Sequence, residues 1–148
     1  MKKILFVCLG NICRSPMAEF VFRDLVKKAD RESEFYIASS ATSSEEVGSP
    51  VHIGTRRILN SLGIDCSFKR AVQLVKNDYD KYDYIIGMEG RNCKTMLKIF
   101  GSDKDNKIYR LCDFTSNPRD IADPWYTGNF ELTYQDILDG CQALLDKI

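Results

Sequence analysis

One histidine in 148 residues leaves this chain without the commonest partner for activating a nucleophile. That residue, His52, stands between Pro50 and Gly54, where it reads as the opening of a helix. The same scarcity argues against zinc. The six cysteines, at 8, 13, 66, 93, 112 and 141, include no Cys-x2-Cys pair, so no metal or cofactor is called for. Net charge is missing too: 21 basic residues balance 21 acidic ones, and no nucleic acid or anionic membrane is expected as a partner. Long apolar runs are absent. Met1-Lys2-Lys3 and the stretch Ile4 to Leu9 briefly imitate a secretory leader, but Gly10-Asn11 and Arg14 break it too early. The expectation is a cytoplasmic protein without membrane insertion, its cysteines mostly free thiols and Cys112 and Cys141 packing residues. No repeat, low-complexity tract or linker interrupts the chain. At 44% hydrophobic residues, it reads as one domain over 1–148 with its own core.

What is present concentrates near the N-terminus, in Cys8-Leu9-Gly10-Asn11-Ile12-Cys13-Arg14-Ser15. An apolar run, Ile4-Leu5-Phe6-Val7, leads in, and Pro16 with a helical pattern follows. The segment therefore reads strand, tight loop, helix. Such a loop aims backbone N–H groups at one spot, and the helix dipole adds positive potential there. A phosphate-like dianion fits that spot, cradled by the N–H groups from Leu9, Gly10, Asn11, Ile12 and Cys13 through Arg14 to Ser15. Arg14 can grip two anion oxygens through its planar fork. Cys8 stands where a nucleophile would face the anion. A free thiol titrates at about 8.5, so it needs help to ionise at neutral pH. Loop N–H groups, Arg14, the Ser15 hydroxyl and the helix N-terminus can hold the thiolate in place of a histidine. Cys13 shares the loop with Cys8, and a disulfide between them follows if the loop brings the two sulfurs together.

Strand and helix signals alternate along the rest. Residues 2–7, 34–39, 83–88 and 108–111 read as strands; 16–29, 51–62, 90–100 and 130–147 read as helices. Ser15 is the expected N-cap of the first helix, with Pro16 at its first position. Gly140, inside the last helix, is read as costing about 1 kcal/mol relative to alanine. Alternation of this kind implies a parallel sheet covered by helices on both faces, with ligands at the carboxyl ends of its strands. Displacing an alkoxide or phenoxide from phosphorus also needs a proton for the leaving oxygen. A carboxylate must supply it here, and Asp123, in Asp123-Pro124-Trp125-Tyr126, is the strongest choice beside the Cys8 loop, although Asp-Pro on its own reads as a surface turn whose aromatics pack on the sheet edge. Pro124 stiffens the backbone there, and Trp125 and Tyr126 would wall an aryl ring off from water.

Val7 to Pro16 resembles the signature of the low-molecular-weight protein tyrosine phosphatases nearly residue for residue. Asp123-Pro124 with its two aromatics resembles their second motif, in the right order and at the right distance. The resemblance spans the chain. It implies a doubly wound four-stranded parallel sheet of order 2-1-3-4. It also implies a phosphotyrosine phosphatase: Cys8 attacks phosphorus and becomes a phosphocysteine, Arg14 and the loop stabilise the equatorial oxygens, and Asp123 serves as acid and then as base. Phosphotyrosine proteins or peptides would be its substrates, phosphate and related oxyanions its inhibitors, and a monomer or weak dimer its state. Asn11 would brace the loop. Ser39 stands where the family has a serine that supports that asparagine, or is an ordinary strand-end hydroxyl. Glu46, Trp125 and Tyr126 match positions lining the family's cleft, although Glu46 could equally be a solvated charge. One departure stands out: in Cys66-Ser67-Phe68-Lys69-Arg70-Ala71, Phe68 replaces a histidine common in the family, so its hydrogen bonds are lost or supplied otherwise.

Three other readings use the same loop. Arsenate reductases of this fold carry a close cysteine pair after strand three, where this chain has only Cys93. Arginine phosphatases of this fold carry a threonine where this chain has Ile12. A non-catalytic phosphotyrosine-binding module would have no use for Asp123.

Overall fold

The structure is a computed structural model and describes residues 1–148. Four parallel strands form one sheet in the order β2-β1-β3-β4: β1 Lys2–Cys8, β2 Phe35–Ala41, β3 Tyr84–Gly87 and β4 Ile108–Arg110. β1 is central, which explains its unbroken apolar run. Ile4 and Phe6 face one buried cluster while Leu5 and Val7 face another. The first cluster lies under α1 (Arg14–Lys28) and α6 (Phe130–Lys147), the second under α4 (Gly90–Phe100). α2 (Ile53–Ser61) packs beside α1 and α6, while α3 (Asp78–Lys81) and α5 (Pro124–Thr127) are single turns. From β1 the chain goes first to β2 on one side and later to β3 on the other. The strand order therefore reverses at β1, and a crevice opens at its carboxyl end, where Cys8 sits.

Three local outcomes differ from the sequence reading. β2 runs to Ala41, because Ser39, Ser40 and Ala41 pair with Phe6, Val7 and Cys8. The hydroxyl-rich stretch is sheet because it lines the site. The first helix begins at Arg14, with Cys13 and not Ser15 as its N-cap. Ser15 is inside the first turn because its hydroxyl is engaged with Cys8 and Asn11. Pro16 is tolerated as the third helical residue, since N–H groups of the first turn have no intrahelical acceptor. Gly140 is required for packing: a Cβ there would lie 2.5 Å from Leu111 Cγ. The glycine lets α6 lie directly on the turn that follows β4. No helix is long and apolar enough to cross a membrane.

Candidate active site

The loop after β1 curls around a single point because its carbonyls are tied outward. The Cys8 carbonyl accepts from the Thr42 N–H at 2.9 Å, that of Leu9 from Ser43 at 3.0 Å and that of Ile12 from His52 at 2.9 Å. The Cys13 carbonyl accepts from the Thr55 hydroxyl at 3.1 Å. Carbonyls pulled out turn the intervening N–H groups in, and those of Gly10, Ile12 and Cys13 have no acceptor within the protein. Together with the start of α1 they make a nest of unpaired donors, a geometry that suits an anion.

Cys8 lies at the base of this nest and is buried. Its Sγ accepts from the N–H groups of Asn11 at 3.3 Å and Ser15 at 3.4 Å, and the Ser15 hydroxyl is 3.0 Å away. Asn11 adopts a left-handed backbone, φ 57°, which the turn demands and asparagine tolerates. Its buried amide then fixes that conformation. Asn11 Nδ2 donates to Ser15 Oγ at 2.8 Å and to Ser39 Oγ at 3.0 Å, and its Oδ1 accepts from the Val72 N–H at 3.1 Å. Ser39 is thus part of the network and not a free strand-end hydroxyl.

Arg14 is 2% exposed and held from three sides. Nη1 donates to the Ile121 carbonyl at 2.9 Å and lies 3.1 Å from Glu89 Oε2; Nη2 lies 3.3 Å from Asp123 Oδ2. Asp123 is also the N-cap of α5, its Oδ1 accepting from the Trp125 N–H at 3.0 Å. One carboxylate therefore both anchors its own loop and reaches the arginine. Trp125 and Tyr126 stand exposed beside it. With Leu9, Gly10, Ile12 and Glu46 they line a cavity of about 140 Å³ over the nest. Glu46 borders this cavity, its Oε2 accepting from the Ser49 hydroxyl at 2.9 Å. His52 caps α2 through Nδ1, which accepts from the Gly54 N–H at 3.0 Å. Its ring stacks on Phe130 and meets Trp125 edge-on, so it buttresses the aromatic wall. Cys13 is buried, and burial, reinforced by the neighbouring Cys8, pushes its thiol up to about 12.

Two supports escaped sequence reasoning. Glu89, at the carboxyl end of β3, pairs with Arg14; an acid directly after a buried parallel strand is the signal that marks it. Glu19 is 3% exposed within the apolar stretch Pro16 to Phe22, and a buried acid on a helix demands a partner. Its Oε1 accepts from Ser39 Oγ at 2.6 Å, Oε2 lies 2.7 Å from Arg23, and Lys69 Nζ is 3.9 Å away. Lys69 Nζ also donates to the Ser39 carbonyl at 3.0 Å, and burial holds its proton affinity below that of a free lysine although Glu19 opposes this. Lys69, one position after Phe68, thus ties this segment to the end of β2. Phe68 itself is exposed and meets Phe20 edge-on.

The expected result for Glu19→Ala is a loss of about 3–5 kcal/mol in urea unfolding, because Ser39 loses its acceptor and Lys69 its counter-charge. Lys69→Met, which leaves Glu19 paired with Arg23, should cost about 1 kcal/mol. Equal losses for the two variants would show that Glu19 is not the centre of the network.

A doubly wound sheet carrying a nest of N–H groups, a buried thiol and an arginine at the carboxyl end of its first strand defines an α/β protein whose loop geometry suits an oxyanion. Residues 3–148 match the family described as low molecular weight phosphotyrosine protein phosphatase, and the chain belongs to that family of hydrolases. It is 43% identical to the low molecular weight protein-tyrosine-phosphatase YfkJ of Bacillus subtilis, over all of this chain and 96% of that one. The crystal structure of YfkJ superposes with a TM-score of 0.95, covering 100% of this chain and 94% of the other at 42% identity. The Streptococcus pyogenes low molecular weight protein tyrosine phosphatase gives a TM-score of 0.88 at 43% identity, covering 100% and 93%.

Proposed function

We propose that this chain is a phosphotyrosine phosphatase that works through a phosphocysteine. The observation that carries the reading is the convergence of two N–H groups and a hydroxyl on Cys8 Sγ, with Arg14 and Asp123 3.3 Å apart at the same rim. The phosphate dianion enters the nest, its equatorial oxygens meeting the loop N–H groups and the Arg14 fork. Cys8 attacks in line with the aryl oxygen. The S–P bond forms as the P–O bond breaks, and Asp123 delivers its proton to the leaving oxygen. Asp123 then takes a proton from the water that attacks phosphorus, and the thiolate departs. The Cys8 base of the nest and the wall of Trp125 and Tyr126 suit a ring held between them. Ile12 lines the mouth with hydrocarbon, which favours an aryl ester over a phosphoguanidinium.

The test is parallel assay of phosphotyrosine and phosphoarginine peptides and of arsenate reduction, with and without EDTA. Metal-independent release of phosphate from phosphotyrosine alone is expected. Turnover of phosphoarginine or arsenate instead, or loss of activity in EDTA, overturns the reading.

Cys13 is proposed to protect the nucleophile. Peroxide converts the Cys8 thiolate to sulfenic acid with release of hydroxide; the Cys13 thiol then forms the S–S bond as water leaves, and a thiol reductant restores both. Wild-type activity should return after peroxide and reductant, while Cys13→Ser should recover several-fold less. Equal recovery would assign Cys13 to packing alone.

A further inference from the structure

The nest has a second neighbour, a polar cavity of about 620 Å³ on the side of α4. It shares Leu9, Asp123 and Tyr126 with the smaller cavity over the nest, so the two form one cleft with the nest between them. Its far wall is Arg91, Lys94 and Thr95. The three acids lining it are engaged: Glu89 and Asp123 pair with Arg14, and Asp120 accepts from the Gly90 N–H at 2.9 Å and pairs with Arg110. Arg91 and Lys94 are exposed and pair with no acid. α4 contains Arg91, Lys94 and Lys98 and no acidic residue, in a chain whose formal charge is zero. Arg91 is moreover the second residue of its helix, where the dipole disfavours a cation. Helix stability therefore does not explain the charge, whereas a ligand would.

We propose that the first two turns of α4 bind carboxylate side chains next to the phosphotyrosine of a protein substrate. The proposal rests on the phosphotyrosine reading and narrows the substrate to acidic segments. Continuity of the cleft supplies the route: a peptide whose phosphotyrosine occupies the nest continues past Asp123 and Tyr126 and meets Arg91 and Lys94. Glu45 and Glu46 at the opposite mouth repel the same carboxylates, which makes the α4 side the one that takes them.

The test compares phosphotyrosine peptides carrying aspartates, alanines or lysines beside the phosphotyrosine, on each side in turn, with 4-nitrophenyl phosphate as a substrate too small to reach α4. The wild type should favour the acidic over the basic peptide by about tenfold in kcat/KM, chiefly through KM, and less at high salt. The variant R91E/K94E should lose or invert that preference and keep its rate on 4-nitrophenyl phosphate. No flank preference in the wild type, or an unchanged preference in the variant, overturns this proposal and leaves the phosphatase reading standing. No hydrolysis of any substrate overturns the phosphatase reading, and this one with it.

Discussion

Cys8→Ser should turn over aryl phosphates more than about 10⁴-fold more slowly than the wild type, the order of loss that follows deletion of a covalent nucleophile. A serine oxygen in that position stays protonated at neutral pH and attacks phosphorus poorly. The nest does not depend on the sulfur for its shape. Its carbonyls are held by Thr42, Ser43, His52 and Thr55, and Arg14 by Glu89 and the Ile121 carbonyl. The variant should therefore bind phosphate or vanadate with affinity within about tenfold of the wild type. Calorimetry with phosphate and a steady-state assay on the same preparation separate the two effects. Loss of both would mean that the sulfur shapes the loop; retention of turnover would remove Cys8 from the mechanism.

Asp123→Asn should slow hydrolysis of poor leaving groups by about 10²–10⁴-fold, the range of general acid catalysis. Asparagine is chosen because it caps a helix as well as aspartate, so α5 and the aromatic wall keep their place. An activated ester such as trifluoromethylumbelliferyl phosphate needs less protonation of its leaving oxygen and should lose far less. Equal losses for good and poor leaving groups would reduce Asp123 to an anchor for Arg14.

Long elements with strong patterns were legible without a structure. The helices over 90–100 and 130–147 begin and end where the sequence pattern places them. Alternation of strands and helices implies a parallel sheet, and the order 2-1-3-4 follows from the family resemblance. Single turns were not legible: Asp78–Lys81 and Pro124–Thr127 hold too few residues to show a period. Cys8, Arg14 and Asp123 stand out because chemistry demands those residue types. Their props do not. Glu19, Glu89 and Lys69 act through distance in space, and nothing in spacing along the chain joins a helix residue to a strand end.

The outward carbonyls of the phosphate loop set its dynamics. The amides of Thr42, Ser43 and His52 are the partners of those carbonyls, so the loop opens only when the segment between β2 and α2 opens with it. Loop and segment should thus open as one cooperative unit, and slow hydrogen exchange at those three amides would report a cradle that persists without ligand. An anion arriving there orders almost nothing and loses little entropy on the protein's account. On the proposed mechanism the same readiness serves the product: inorganic phosphate would meet every donor that recruited the ester, and product inhibition is the expected result.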